Sequence, residues 1–130
     1  MAAVLLDTTV LIDVLRGRSA ADRLRRMRSA GYTPHVCAVN VEEVARGLRA
    51  TEASGARMLF AGVGMVPLTE AEGWRAGEWR REYAARGQTL SQADCLVAAA
   101  AFAVGGRLVT GNPRHFPMPE VDVEHWPAAE

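Results

Sequence analysis

The chain has 130 residues, with fifteen basic and fifteen acidic side chains and a formal net charge of zero. At this length one domain is expected, spanning 1–130, that buries roughly two-thirds of its unfolded surface without staples. A composition of 49% hydrophobic and 23% charged residues excludes disorder, collagen and disulfide scaffolds. The neutral balance excludes wholesale electrostatic binding to nucleic acid.

Residues 2–6, Ala-Ala-Val-Leu-Leu, form a short apolar run that stops at Asp7. That pattern predicts a strand buried on both faces, as in a parallel sheet. Asp7, Thr8 and Thr9 are capping residues for a helix from Val10 to about Leu15, ended by Gly17. A second, Arg-rich helix follows from Ser19 or Asp22 to about Ser29, with a thin apolar stripe of Leu24 and Met27. Gly31 to Pro34 reads as a turn, and His35 to Val39 as the second strand. Asn40 is placed to cap a helix over Val41–Ala50, with Val41, Val44, Ala45 and Leu48 on its apolar face.

A helix over Ser54–Phe60 and a strand over Val63–Leu68 come next. Thr69 and Glu72 have capping-box spacing at the start of a helix running to about Arg86. Trp79 and Tyr83 stand one turn apart on it, the spacing of core residues. Ser91 caps the next helix, whose stretch Cys95–Val104 is apolar nearly all round and belongs at the centre of the molecule. That stretch is about half the length of a membrane span. Arg107–Thr110 is a further strand, Gly111-Asn112-Pro113 a loop, and Val121–Trp126 an edge strand in an acidic tail. The alternation of strands and helices predicts an α/β/α sandwich around a mainly parallel sheet. No basic flank makes the first residues a signal peptide, and Cys37 and Cys95 read as reduced core thiols, so a cytoplasmic location is expected.

Ligands of such sheets bind beyond the carboxyl ends of the strands, which directs attention to the acids there. Asp7 follows the first strand directly, and serves either as a helix cap or, if Thr8 or Thr9 caps, as a free carboxylate. Glu43 lies opposite the apolar face of its helix, beside Asn40 and Gly47 at helical spacing, with Glu42 a competitor on spacing alone. Asp94 either closes a capping box with Ser91 or, at the buried end of an apolar helix, requires a cation. Three such carboxylates make a hard-oxygen site of the kind Mg²⁺ accepts. Their mutual repulsion should raise at least one pKa. The chain has no Lys, no HExxH, no G-x-S-x-G and no phosphate-binding glycine loop. A phospho-acceptor receiver domain would want a late Lys, and a haloacid-dehalogenase-type phosphatase an Asp-x-Asp in place of Asp7-Thr8-Thr9.

Four motifs in order resemble those of a PIN domain, and specifically of the VapC toxins of bacterial toxin–antitoxin pairs. They are Leu6-Asp7-Thr8-Thr9-Val10-Leu11-Ile12-Asp13, Glu43-Val44-Ala45-Arg46-Gly47, Asp94-Cys95-Leu96-Val97-Ala98-Ala99, and Leu108-Val109-Thr110-Gly111-Asn112-Pro113-Arg114-His115-Phe116. The second motif selects Glu43 over Glu42. The resemblance implies a Mg²⁺- or Mn²⁺-dependent endoribonuclease that cuts tRNA or other structured RNA and so blocks translation. It implies Asp7, Glu43 and Asp94 as metal ligands, with Thr9 holding the site and Asn112 offering an amide oxygen or positioning a water. The family often carries a further acid where Asn112 and His115 stand, so the three acids are expected to hold one ion firmly and a second only when RNA supplies phosphate oxygens. Arg16, Arg18 and His115 are candidate RNA contacts. A homodimer, a cognate VapB-like antitoxin over the cleft, and operator DNA reached only through that antitoxin are also implied. The alternative is a non-catalytic PIN-like protein that keeps the interfaces and cuts nothing.

Overall fold

The computed structural model describes residues 2–128; residues 1, 129 and 130, the ends of the expected 1–130 domain, lie outside the described residues. The strands are β1 (Ala3–Leu6), β2 (Thr33–Cys37), β3 (Gly64–Val66), β4 (Arg107–Thr110) and β5 (Asp122–His125). The helices are α1 (Thr8–Leu15), α2 (Ser19–Ser29), α3 (Ala38–Gly47), α4 (Ala53–Ala61), α5 (Glu70–Ala85) and α6 (Gln92–Ala103). All strand pairings are parallel, in the order β3-β2-β1-β4-β5. The α/β/α sandwich expected from the alternation is the architecture found.

Period-two alternation sorts the central strands between two cores. Leu5, Cys37 and Leu108 face α5 and α6, with Trp79, Tyr83 and the alanines of α6. Val4, Leu6, Val36 and Val109 face the other way, onto α1, α2, α3 and α4 through Val10, Leu11, Leu24, Val44 and Ala56. Small side chains at Ala98, Ala99, Ala100 and Ala101, all fully buried, let α6 press closely on the sheet. Trp79 and Tyr83 are core residues, as their spacing predicts, and their polar atoms bond to Glu120 and the Pro117 carbonyl.

Three local expectations are corrected. Residues 33 and 34 belong to β2 and not to a turn. Thr33–His35 pair with β1, while pairing with β3 begins only at His35 opposite Gly64. Pro34 therefore sits where the flank toward β3 asks for no N–H, the one place a strand tolerates it. The second correction is that α3 starts at Ala38 with Cys37 as its N-cap, so Asn40 is a first-turn residue. Its Oδ1 accepts the Cys37 N–H at 2.9 Å, the return half of a capping box. Thirdly, α6 is not wrapped all round, because Phe102 is exposed under the guanidinium of Arg75. Gly64 makes room for the His35 ring of the neighbouring strand, since a Cβ there would lie 2.4 Å from it and force the ring to move.

Candidate active site

The carboxyl ends of β1 and β4 meet at Asp7. Asp7 is itself the N-cap of α1, so the idea that Thr8 or Thr9 would cap and leave it free does not hold. One carboxylate oxygen, Oδ1, accepts the Thr8 N–H at 2.8 Å. The other, Oδ2, accepts the Thr110 hydroxyl at 2.6 Å and, more loosely, the Thr9 hydroxyl at 3.4 Å. Capping thus uses only part of the group, and every partner is neutral.

Asp7 is buried, and burial is the main reason its pKa lies above the usual carboxylate value; the charges of Asp94 and Glu43 push it the same way. Repulsion between the acids contributes as expected, but desolvation leads. The bonds from Thr110 and Thr8 oppose the rise without cancelling it.

Glu43 reaches the cleft from α3. Its Oε1 accepts the Thr8 hydroxyl at 2.7 Å, and that hydroxyl accepts from the Asn40 amide at 3.2 Å. Asn40 is fully buried, so it fixes the direction in which Thr8 can donate. Glu42 faces outward and pairs with Arg46, which leaves Glu43 as the acid of this helix that turns inward.

Asp94 arrives from the first turn of α6. Ser91 caps the helix by accepting the Asp94 N–H at 3.0 Å, while the Asp94 side chain turns away toward the Nδ1 of His115, at 3.5 Å. The carboxylate is about a quarter exposed, less buried than an apolar helix suggested.

The loop after β4 completes the cleft. The Gly111 N–H donates to the Thr9 hydroxyl at 2.9 Å, and the Asn112 N–H to the Thr110 hydroxyl at 3.0 Å. A Cβ on Gly111 would crowd Thr9 at 3.2 Å, so glycine allows the loop to lie against α1. Asn112 is exposed and borders a hollow of about 350 Å³ with His115 and His125.

Not every expected residue converges. Arg16 bonds Glu52 at 3.1 Å, and Arg18 bonds the buried Asp13 at 2.9 Å. Those pairs give both guanidiniums a structural partner within the chain. Among the described residues no three His, Cys, Asp or Glu side chains already stand at metal-ligand spacing. The expected three-carboxylate grip is therefore not preassembled. The donor set is nonetheless all oxygen, and Asp94 and Glu43 add to the cost of ionising Asp7, which suits a hard cation that keeps several waters between itself and the protein. Thr8, Asn40 and Thr110 bond to the acids or to one another, contacts the sequence did not reveal. A threonine closing a buried strand just before Gly-Asn was the available signal for Thr110.

Comparison with known proteins identifies the family. The PIN domain family pattern matches residues 4–122. Ribonuclease VapC19 of Mycobacterium tuberculosis is 32% identical over 115 residues, covering 88% of this chain and 92% of the relative. Ribonuclease VapC10 of the same species is 36% identical over 116 residues, 88% of this chain and 86% of the relative. The crystal structure of VapBC2 from Rickettsia felis bound to a promoter DNA fragment superimposes with a TM-score of 0.84 at 20% identity, covering 95% of this chain and 98% of that one. Other solved neighbours include toxin–antitoxin complexes. The chain belongs to the PIN domain family, among the VapC ribonucleases.

Proposed function

We propose that this protein is the toxin of a type II toxin–antitoxin pair and an endoribonuclease whose working centre is the cleft of Asp7, Glu43 and Asp94. The observation that carries this reading is a buried Asp7, disfavoured by burial and by two acidic neighbours, at the carboxyl end of a parallel sheet. A burial of that kind is costly unless a cation offsets it. Asp7, Asp94 and Glu43 would hold Mg²⁺ or Mn²⁺, which when bound supplies a water of lowered pKa and stabilises charge developing on a phosphodiester.

The chain's own groups orient the site. Thr110 and Thr9 hold Asp7 at the end of β1, and Thr8, steered by Asn40, holds Glu43. Asn112 would bond a water or phosphate at the mouth of the cleft. His115, beside Asp94, offers a cation to RNA when protonated. Single-stranded or looped RNA is the readable substrate class, and tRNA is our choice within it. Among the described residues no helix is long and apolar enough to cross a membrane. The antitoxin, of VapB type, would cover the cleft and reach operator DNA itself, and the toxin would pair as a homodimer. The deciding experiment is RNA cleavage by purified protein, with ends mapped after brief induction in cells. Cleavage stopped by EDTA and absent in Asp7→Ala and Asp94→Ala supports the enzyme. Cleavage unchanged by all three returns the protein to the non-catalytic binding role.

A further inference from the structure

A second concavity lies on the α2 face of the sheet, away from the three carboxylates. Helix α2 covers this face through Leu24 and Met27, but β5 has β4 and the turn at Pro113–His115 as its main neighbours rather than a helix. A cavity of about 300 Å³ remains, lined chiefly by Arg23, Arg26, Tyr32, Arg107, Glu124 and Trp126.

Its charges are unevenly committed. Arg107 bonds Glu124 at 2.9 Å and lies 4.8 Å from the Tyr32 ring centre. The other oxygen of Glu124 accepts the Trp126 indole N–H at 2.5 Å. Both oxygens of the one acid are thus engaged by the wall itself. Arg23 stands 6.0 Å from the Trp126 ring, and neither it nor Arg26 has a salt bridge among the described residues. The lining therefore carries three guanidiniums against one saturated carboxylate, beside two aromatic rings.

From this arrangement we infer that the cavity is a subsite for one nucleotide of a single-stranded RNA. The inference rests on the ribonuclease reading and extends it to where the substrate lies. Excess guanidinium charge selects a phosphate, and the flat guanidinium planes of Arg23 and Arg26 offer a base a surface to stack on, with the buried Trp126 ring behind Arg23. A volume at the lower end of ligand pockets admits a nucleotide, whereas an α-helix of a protein partner is about 10–12 Å across. One wall of the cavity is tied to the end of β4 that carries the cleft. The Trp126 N–H donates to the Thr110 carbonyl at 2.8 Å, and the Thr110 hydroxyl donates to Asp7.

The test is binding of a short mixed-sequence single-stranded RNA in EDTA, measured by fluorescence anisotropy across a salt series. The full chain is compared with Arg23→Ala/Arg26→Ala and with the charge-matched Arg57→Ala/Arg81→Ala, exposed residues of α4 and α5. The first pair should weaken binding about tenfold and flatten the log–log salt slope by about 0.7, the value for one lost phosphate contact. The control pair should change both little. Equal losses in the two pairs, no loss in either, or no RNA binding by the parent chain would overturn the subsite. So would a defect confined to antitoxin binding, which would make the cavity a protein-docking surface. Because the readout needs no cleavage, an Arg23/Arg26-dependent affinity in a protein that cuts nothing would uphold the subsite and reject the nuclease reading.

Discussion

The two sides of β1 and β4 solve opposite problems. Behind the sheet, α5 and α6 bury Trp79 and Tyr83 with each polar atom answered and α6 with almost no polar side chain at all. At the carboxyl end of the same strands, Asp7 is equally hidden but is surrounded by hydroxyls and by two further acids. The first arrangement stabilises the fold unconditionally. The second costs free energy that only an added positive charge relieves. Stability and function are therefore separable by position, and substitutions at the two places should read out differently.

The largest separation is expected at Asp94. Asp94→Ala should leave the melting temperature in EDTA nearly unchanged, because Ser91 caps the backbone N–H and not the side chain. Cleavage should fall on the order of 10³-fold or more, the scale of losing several kcal/mol of charge stabilisation. Trp79→Ala should do the reverse. We expect a loss of about 3–5 kcal/mol in denaturant unfolding, with cleavage per folded molecule preserved under conditions where the variant stays folded.

A smaller effect should follow from Thr8→Val, which keeps shape and removes the donor to Glu43. Supporting residues of this kind are worth about 10–100-fold in metal affinity, measurable by Mn²⁺ titration. Smaller still is the effect of Asp7→Asn on the metal-free protein. Its raised pKa means the folded chain retains a proton that the unfolded chain releases as pH rises above 3.8. Stability attributable to this group is thus greatest at low pH and declines as pH rises through its folded pKa. Asp7→Asn should remove that decline, raising the melting temperature in EDTA by a few degrees at neutral pH and not below pH 3.8. An equal rise at both would assign the effect to packing.

The apolar rhythm of β1, β4 and α6 and the caps at Thr69 and Ser91 were readable from sequence because their causes are local. The acids Asp7, Glu43 and Asp94 were recognisable as motif positions, and Glu43 could be chosen over Glu42 only by that resemblance. What stayed hidden depends on partners far along the chain. Thr110 meets Asp7 from 103 residues away, Thr8 meets Glu43 from 35, and Arg16 meets Glu52 from 36. Pro34 misled because its turn signal ignores which flank of a strand lacks a neighbour. Asn40 misled because a capping residue also serves at the third helical position, returning its side chain to the cap.

Thermal unfolding during a Mg²⁺ or Mn²⁺ titration, with Asp7→Asn/Asp94→Asn alongside, tests most directly whether the acids of the cleft act together on a divalent ion. The parent chain should gain melting temperature at millimolar ion, following the logarithmic dependence of a ligand that binds only the folded state, and the double variant should gain none. Identical gains in both proteins, or none in the parent, would contradict a cation-binding cleft.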